Sequence, residues 1–151
     1  MTSGNPRAAR LRELRERVRL VPGTHEEAEC ARVYEAFLPL NREVLQMCTD
    51  WQVRQGGAAN DHTDAAYDWA VIGRLDALDD RVGPLVRRLA ETDERFAQYR
   101  ERLRAARRRV ADGEHDWLTS PRVDSYHTVW MELHEALLAA LGLERRREES
   151  Q

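Results

Sequence analysis

Apolar residues recur through most of this chain at intervals of three and four, the spacing of one face of an α-helix. The longest stripe is Cys30, Tyr34, Phe37, Asn41, Val44, Cys48 and Trp51, which predicts a long amphipathic helix. Thr24 suits its N-cap, and Glu26 and Glu27 in the first turn suit the positive end of the helix dipole. Pro39 predicts a kink or a restart. Asn41 lies at that weak point. It is expected to satisfy carbonyls that Pro39 frees, in preference to touching a ligand. Gln55-Gly56-Gly57 predicts the end of the helix.

A polar cluster, Asn60-Asp61-His62-Thr63-Asp64, opens the next stripe of Tyr67, Val71, Leu78, Val82, Leu85 and Leu89. Gly83-Pro84 interrupts this stripe and predicts a bend or two shorter helices. Thr92 and Asp93 suit the start of another helix, carrying Phe96, Tyr99, Leu103, Ala106 and Val110 and ending at Gly113. The last helix is predicted over Ser120–Gly142. Ser120 would be its cap, Pro121 its first residue and Gly142 the residue past its end. Val123, Trp130, Leu137 and Leu141 share one arc of it. His134 falls inside that arc, and His127 lies on its shoulder beside Met131 and Asp124. Ser125 and Glu132 face out.

No segment alternates at period two. The pattern therefore predicts an all-α domain, an antiparallel bundle of five or six helices over residues 24–143. Residues 1–23 read as a basic arm or linker: 1–6 disordered, then a short helix over 7–20 edged by Leu11, Leu14 and Val18 and stopped by Pro22-Gly23. Residues 144–151 read as a disordered tail.

Composition changes this picture little. The chain of 151 residues is about one domain. Its net charge of −3 gives no global field for nucleic acid. All 24 basic residues are Arg, which fits a high-GC coding bias. The run from Arg100 through Arg102, Arg104, Arg107, Arg108 and Arg109 lacks interleaved aromatic residues and reads as a solvated helix face. No apolar run approaches the roughly 20 residues of a membrane span. The N-terminus lacks the apolar core of a secretory signal, so a cytoplasmic location is expected. Cys30 and Cys48 share a face but lie about 27 Å apart along a helix. They are expected to be buried thiols and not a bridge, which needs Cα atoms within about 7 Å.

Candidate chemistry concentrates in the histidines and the polar cluster. Extending the stripe of the second helix backwards places Asp64 on its buried face, with Asp68 on the flank. A buried carboxylate needs a partner, and His127 or His134 is the economical one. Such a pair fixes helix register or lines a ligand pocket. The expected lining is His62, Asp64, Asp68, His127, Trp130 and His134. His127 and His134 are seven residues apart, about 10.5 Å of rise, so they do not close on one ion unaided. A divalent metal on Asp64, His127 and His134, or at an Asp124–His127 edge completed by His62 or Asp64, is the weaker reading. No cofactor is otherwise expected. Nucleophile motifs and Gly-rich phosphate loops are missing from the sequence.

Three stretches carry a resemblance: Asp50-Trp51-Gln52; residues 60–64 with Tyr67-Asp68; and Asp124 through Trp130 with Leu133-His134-Glu135. Together they resemble the all-helical C-terminal domain of winged-helix, MarR-like or PadR-like transcriptional regulators of high-GC bacteria. The resemblance covers roughly residues 30–143 and departs at Ala136, where an acidic residue is expected. In such regulators a winged helix precedes the bundle, and only about 25 residues precede it here. The resemblance thus implies an effector-binding or association domain without the DNA-reading module. The expected function is binding of a small molecule or a partner, with no sequence-specific nucleic acid and no membrane. Two alternatives stand beside it. One is a small metal-dependent or acid–base enzyme using His62, Asp64, His127 and His134. The other is a structural dimerisation module.

Overall fold

The computed structural model describes residues 5–7, 10 and 19–144. Most of the predicted arm helix, with Leu11, Leu14 and Val18, and the tail from 145 lie outside the described residues. The described residues contain α1 (His25–Gln52), α2 (Ala65–Thr92), a 3-10 turn (Glu94–Phe96), α3 (Ala97–Ala111), α4 (Asp116–Thr119) and α5 (Tyr126–Leu141). The protein is an all-α bundle of these five helices.

Cross-helix pairs show how they run. Asp50 pairs with Arg74 and Glu43 with Arg81, so residue numbers rise on α1 as they fall on α2. The same reversal joins α2 to α3 through Asp76–Arg107 and Asp79–Arg100, and α1 to α5 through Phe37–His134 and Asn41–Trp130. The four longer helices therefore alternate in direction, with α5 closing the ring against α1 and α3. The predicted stripes form the core. Cys30, Tyr34, Phe37, Val44, Cys48 and Trp51 of α1 are buried, as are Val71, Leu78, Val82 and Leu89 of α2 and Phe96, Tyr99, Leu103, Ala106 and Val110 after it. Both thiols are free and buried. Burial pushes Cys30 up to about 11 and Cys48 to about 12.

Neither a restart at Pro39 nor a split at Gly83-Pro84 occurs. α1 runs unbroken through Pro39 and α2 through Gly83-Pro84. Each proline lies on the exposed side of its helix, so the carbonyl it orphans, of Glu35 or of Asp80, faces water. Gly83 has a different part: a Cβ there would come within 3.1 Å of the Arg100 guanidinium, which lies across the helix. Asn41 is not needed for repair either. Its Oδ1 accepts from the Trp130 indole Nε1–H at 2.9 Å, and Trp130, fully buried, stacks on Phe37 with ring centroids 4.6 Å apart.

α1 ends at Gln52, earlier than Gln55 predicts, and Thr24 caps its start by accepting from Glu27 N–H. α5 starts at Tyr126, not at Pro121. Ser125, expected to face out, is buried and caps it by accepting from Thr128 N–H at 3.2 Å. Ser120 instead accepts from Arg122 N–H in a turn, so residues 121–124 never enter the helix. Gly142 ends α5 at φ +65°, as predicted. Leu20 N–H then reaches Ala140 O, satisfying one carbonyl of the last turn.

The Arg run is not uniformly solvated. Arg107 binds Asp76, Asp79 and Asp80, each at 2.9 Å, and Arg100 lies 3.6 Å from Asp79. Asp79 is 1% exposed, and its other oxygen accepts from Tyr126 O–H at 2.9 Å. A buried carboxylate survives here because three donors from α3 and α5 surround it. Burial, reinforced by Asp79, pushes the Tyr126 phenol well above its ordinary range.

Candidate functional site

The loop between α1 and α2 folds back on the end of α1. Gly56 and Gly57 take positive φ, and an isolated bridge joins Val53 to Ala59. Asn60 N–H then donates to Gln52 O at 2.9 Å, which tucks the Asn60 side chain beneath Trp51. Asn60 is 8% exposed and its amide is fully used. Its NH2 donates to Trp51 O at 2.8 Å and to Asp68 Oδ1 at 2.9 Å, while its Oδ1 accepts from His62 N–H at 3.1 Å. The opposite amide orientation would set oxygen against two oxygens and N–H against N–H.

That orientation decides the state of His62. Its Nδ1 lies 2.9 Å from Asp68 Oδ2 and 3.2 Å from Asn60 Nδ2. Both Asn60 hydrogens are already committed, so Nδ1 carries the proton and donates to Asp68. The neutral ring therefore keeps its lone pair on Nε2. His62 is also the one non-glycine residue with positive φ among the described residues, at +60°. A side chain in the left-handed region costs about 1 kcal/mol or more, and such conformations gather at functional sites.

Trp51 forms the floor. The His62 ring lies 4.5 Å from its centroid, the His115 ring meets it edge-on at 5.2 Å, and the two imidazoles are 6.4 Å apart. His115 comes from the connection before α4. These rings open onto a cleft of about 320 Å³ lined also by Gln52, Asn60, Asp116, Thr119 and Ser120. A second depression, of about 280 Å³, is walled by exposed or half-buried His25, Glu26, Glu29, Arg88, Glu91 and Thr92 and holds no oriented buried group.

The predicted site residues divide. His62 and Asp68 are brought together; Asp64, His127, Trp130 and His134 lie outside that cluster. Asp64, expected in the core, is the half-buried N-cap of α2. It accepts from Tyr67 N–H at 3.2 Å and pairs with Arg54 at 3.1 Å. Those two donors hold its carboxyl below the ordinary range. The predicted pairing of Asp64 with His127 or His134 is thus replaced by Arg54. Capping claimed the first carboxylate of the helix, and the next turn carries the buried one, Asp68, at 4% exposure. His134 is 3% exposed and packs in the core with its ring 5.3 Å from Phe37. His127 is half-buried, and burial lowers its pKa. Asp124 faces solvent and lies 3.6 Å from Arg102, so no Asp124–His127 edge forms. Among the described residues, no three His, Cys, Asp or Glu side chains converge as a metal needs.

His115 was not predicted. Its segment, Glu114 to Ser120, has no periodicity and reads as a connection; its only signal is a second imidazole in a polar loop. Compared with protein-family models, with curated proteins and with solved structures, the chain matches none.

Proposed function

We propose that this domain binds a small molecule in the cleft walled by Trp51, His62 and His115. The observation that carries this reading is the support behind His62. A buried carboxylate and a fully engaged amide fix one tautomer of an imidazole whose free nitrogen is on the side away from them. A volume near 320 Å³ lies at the lower end of small-molecule sites. An effector domain of the kind the resemblance implies would use such a cleft in the same way. Native mass spectrometry of the intact chain tests the reading. A small organic compound should co-purify with the natural chain and be lost from His62→Gln; equal retention by the variant would remove His62 from the site.

A second reading has its own observation. Asp68 on Nδ1 and an open Nε2 is the arrangement of a general base. The enzyme alternative then rests on His62 and Asp68, not on Asp64, His127 or His134. A co-purified compound that stays unchanged over hours favours binding, and one that is converted favours catalysis.

A further inference from the structure

We propose that the cleft holds one divalent metal ion of the zinc, copper or nickel kind between His62 Nε2 and the His115 ring. This rests on the cleft being a binding site and adds an ion to it. The support behind His62 is what a metal-binding imidazole needs. Such a ring is neutral, keeps one lone pair, and commonly donates its other N–H to a carboxylate that is itself held by hydrogen bonds. His62 donates Nδ1–H to Asp68 at 2.9 Å, and Asp68 in turn accepts from Asn60 at 2.9 Å. Asp68 is 4% and Asn60 8% exposed, so the lone pair on Nε2 keeps one direction.

The walls fit a cation. None of the residues lining the cleft is Arg, although the chain has 24. Its charge comes from Asp68 behind His62 and from Asp116 in the lining, whose exposed carboxylate makes no ion pair among the described residues. The His115 ring makes no hydrogen bond among the described residues, so its nitrogens are uncommitted. An ion bonded to one nitrogen of each ring, at about 2.1 Å, sets the ring centres between about 5 Å apart, for a tetrahedral angle, and about 6.4 Å, for a straight one. The two rings stand at the wide end, 6.4 Å apart. A shift of about 1 Å in the half-buried His115 ring reaches the tetrahedral spacing. Three protein donors do not converge among the described residues, so water completes the shell, with Asp116 the carboxylate at hand in the lining. Two nitrogen donors select zinc, copper or nickel over magnesium or calcium, which take oxygen.

Zinc chloride titrated into the full chain, first cleared of metal with a chelator, tests this by NMR of the histidine ring nitrogens. One ion per chain should move His62 Nε2 and a His115 ring nitrogen together and leave His62 Nδ1 protonated; magnesium at the same concentration should move neither. His62→Gln and His115→Gln should each weaken zinc binding about tenfold or more, and Asp68→Asn should weaken it about 10–100-fold without touching the ion. Should a change at His62 or Asp68 disturb the loop, His115→Gln, outside the hydrogen-bonded cluster, decides alone. Zinc binding unchanged by His115→Gln, shifts confined to His25, His127 or His134, or no zinc shift at all overturns the proposal, and the ligand site stands if organic fragments still move the Trp51 indole resonance. If neither zinc nor any fragment moves that resonance or these rings, the proposal and the ligand site fall together.

Discussion

Asp64 and Asp68 are one helical turn apart on α2 and have opposite surroundings. Asp64 is a half-buried cap at the helix end, a place Asn fills about as well. Asp68 is buried between an amide and an imidazole. Asp64→Asn should therefore leave the denaturation midpoint nearly unchanged. Asp68→Asn should cost about 1–3 kcal/mol, because the new NH2 group faces a donor in Asn60 or His62. Urea denaturation of both variants checks this, and equal effects would mean the two carboxylates have been assigned the wrong way round. His127 provides a pH dependence. Its folded pKa lies below the ordinary value, so the fold prefers the neutral ring. Its contribution is present above the unfolded value, about 6.5, and is lost as pH falls through the depressed folded value. His127→Gln should flatten the loss of stability between neutral and mildly acid pH; an unchanged slope would assign that loss to other groups.

At the scale of elements, the helices were legible in the sequence because burial at three- and four-residue spacing leaves a direct trace. Whether a proline ends a helix was not. Pro39 and Pro84 lie on the exposed side, where water can satisfy the carbonyl each orphans, and spacing alone does not say which side is wet. The site was legible only in part for a related reason. At the start of α2, capping and burial both call for a carboxylate, and the pattern could not say which of Asp64 and Asp68 served which. His115 lies in a connection with no period to read. The α2–α3–α5 junction gives a sharp test. Asp79→Ala leaves Arg107 and Arg100 facing a cavity and should destabilise by about 3–5 kcal/mol. Gly73 contrasts with it: a Cβ there meets nothing within 4 Å, so Gly73→Ala should stabilise α2 by about 0.5–1 kcal/mol. Gly83→Ala should not, because its Cβ would crowd Arg100. Thermal and chemical denaturation of the three variants settles the order, and a stabilising Gly83→Ala would contradict the close approach of Arg100.

At the scale of the molecule, the cleft lies where three parts of the chain meet: the end of α1, the loop into α2, and α4. Helix packing fixes Trp51, and local turns bring His62 and His115 to it. Among the described residues, Arg100, Arg102 and Arg107 are drawn into pairs with Asp and Glu, and the chain carries a net charge of −3. Any DNA retained by these described residues should be released at physiological salt with no sequence preference, because phosphate contacts weaken steeply as salt rises. Sequence-specific retention in a mobility-shift assay at that salt would defeat the ligand-domain reading. The most direct measurement of that reading is a fragment screen mapped by two-dimensional NMR on the full chain. The account predicts that compounds which bind perturb the Trp51 indole, residues 60–62 and residues 115–120 together, and that Asp68→Asn weakens them. Perturbations gathered at the His25–Glu91 depression or around His127 and His134, with the Trp51 cleft silent, would contradict it.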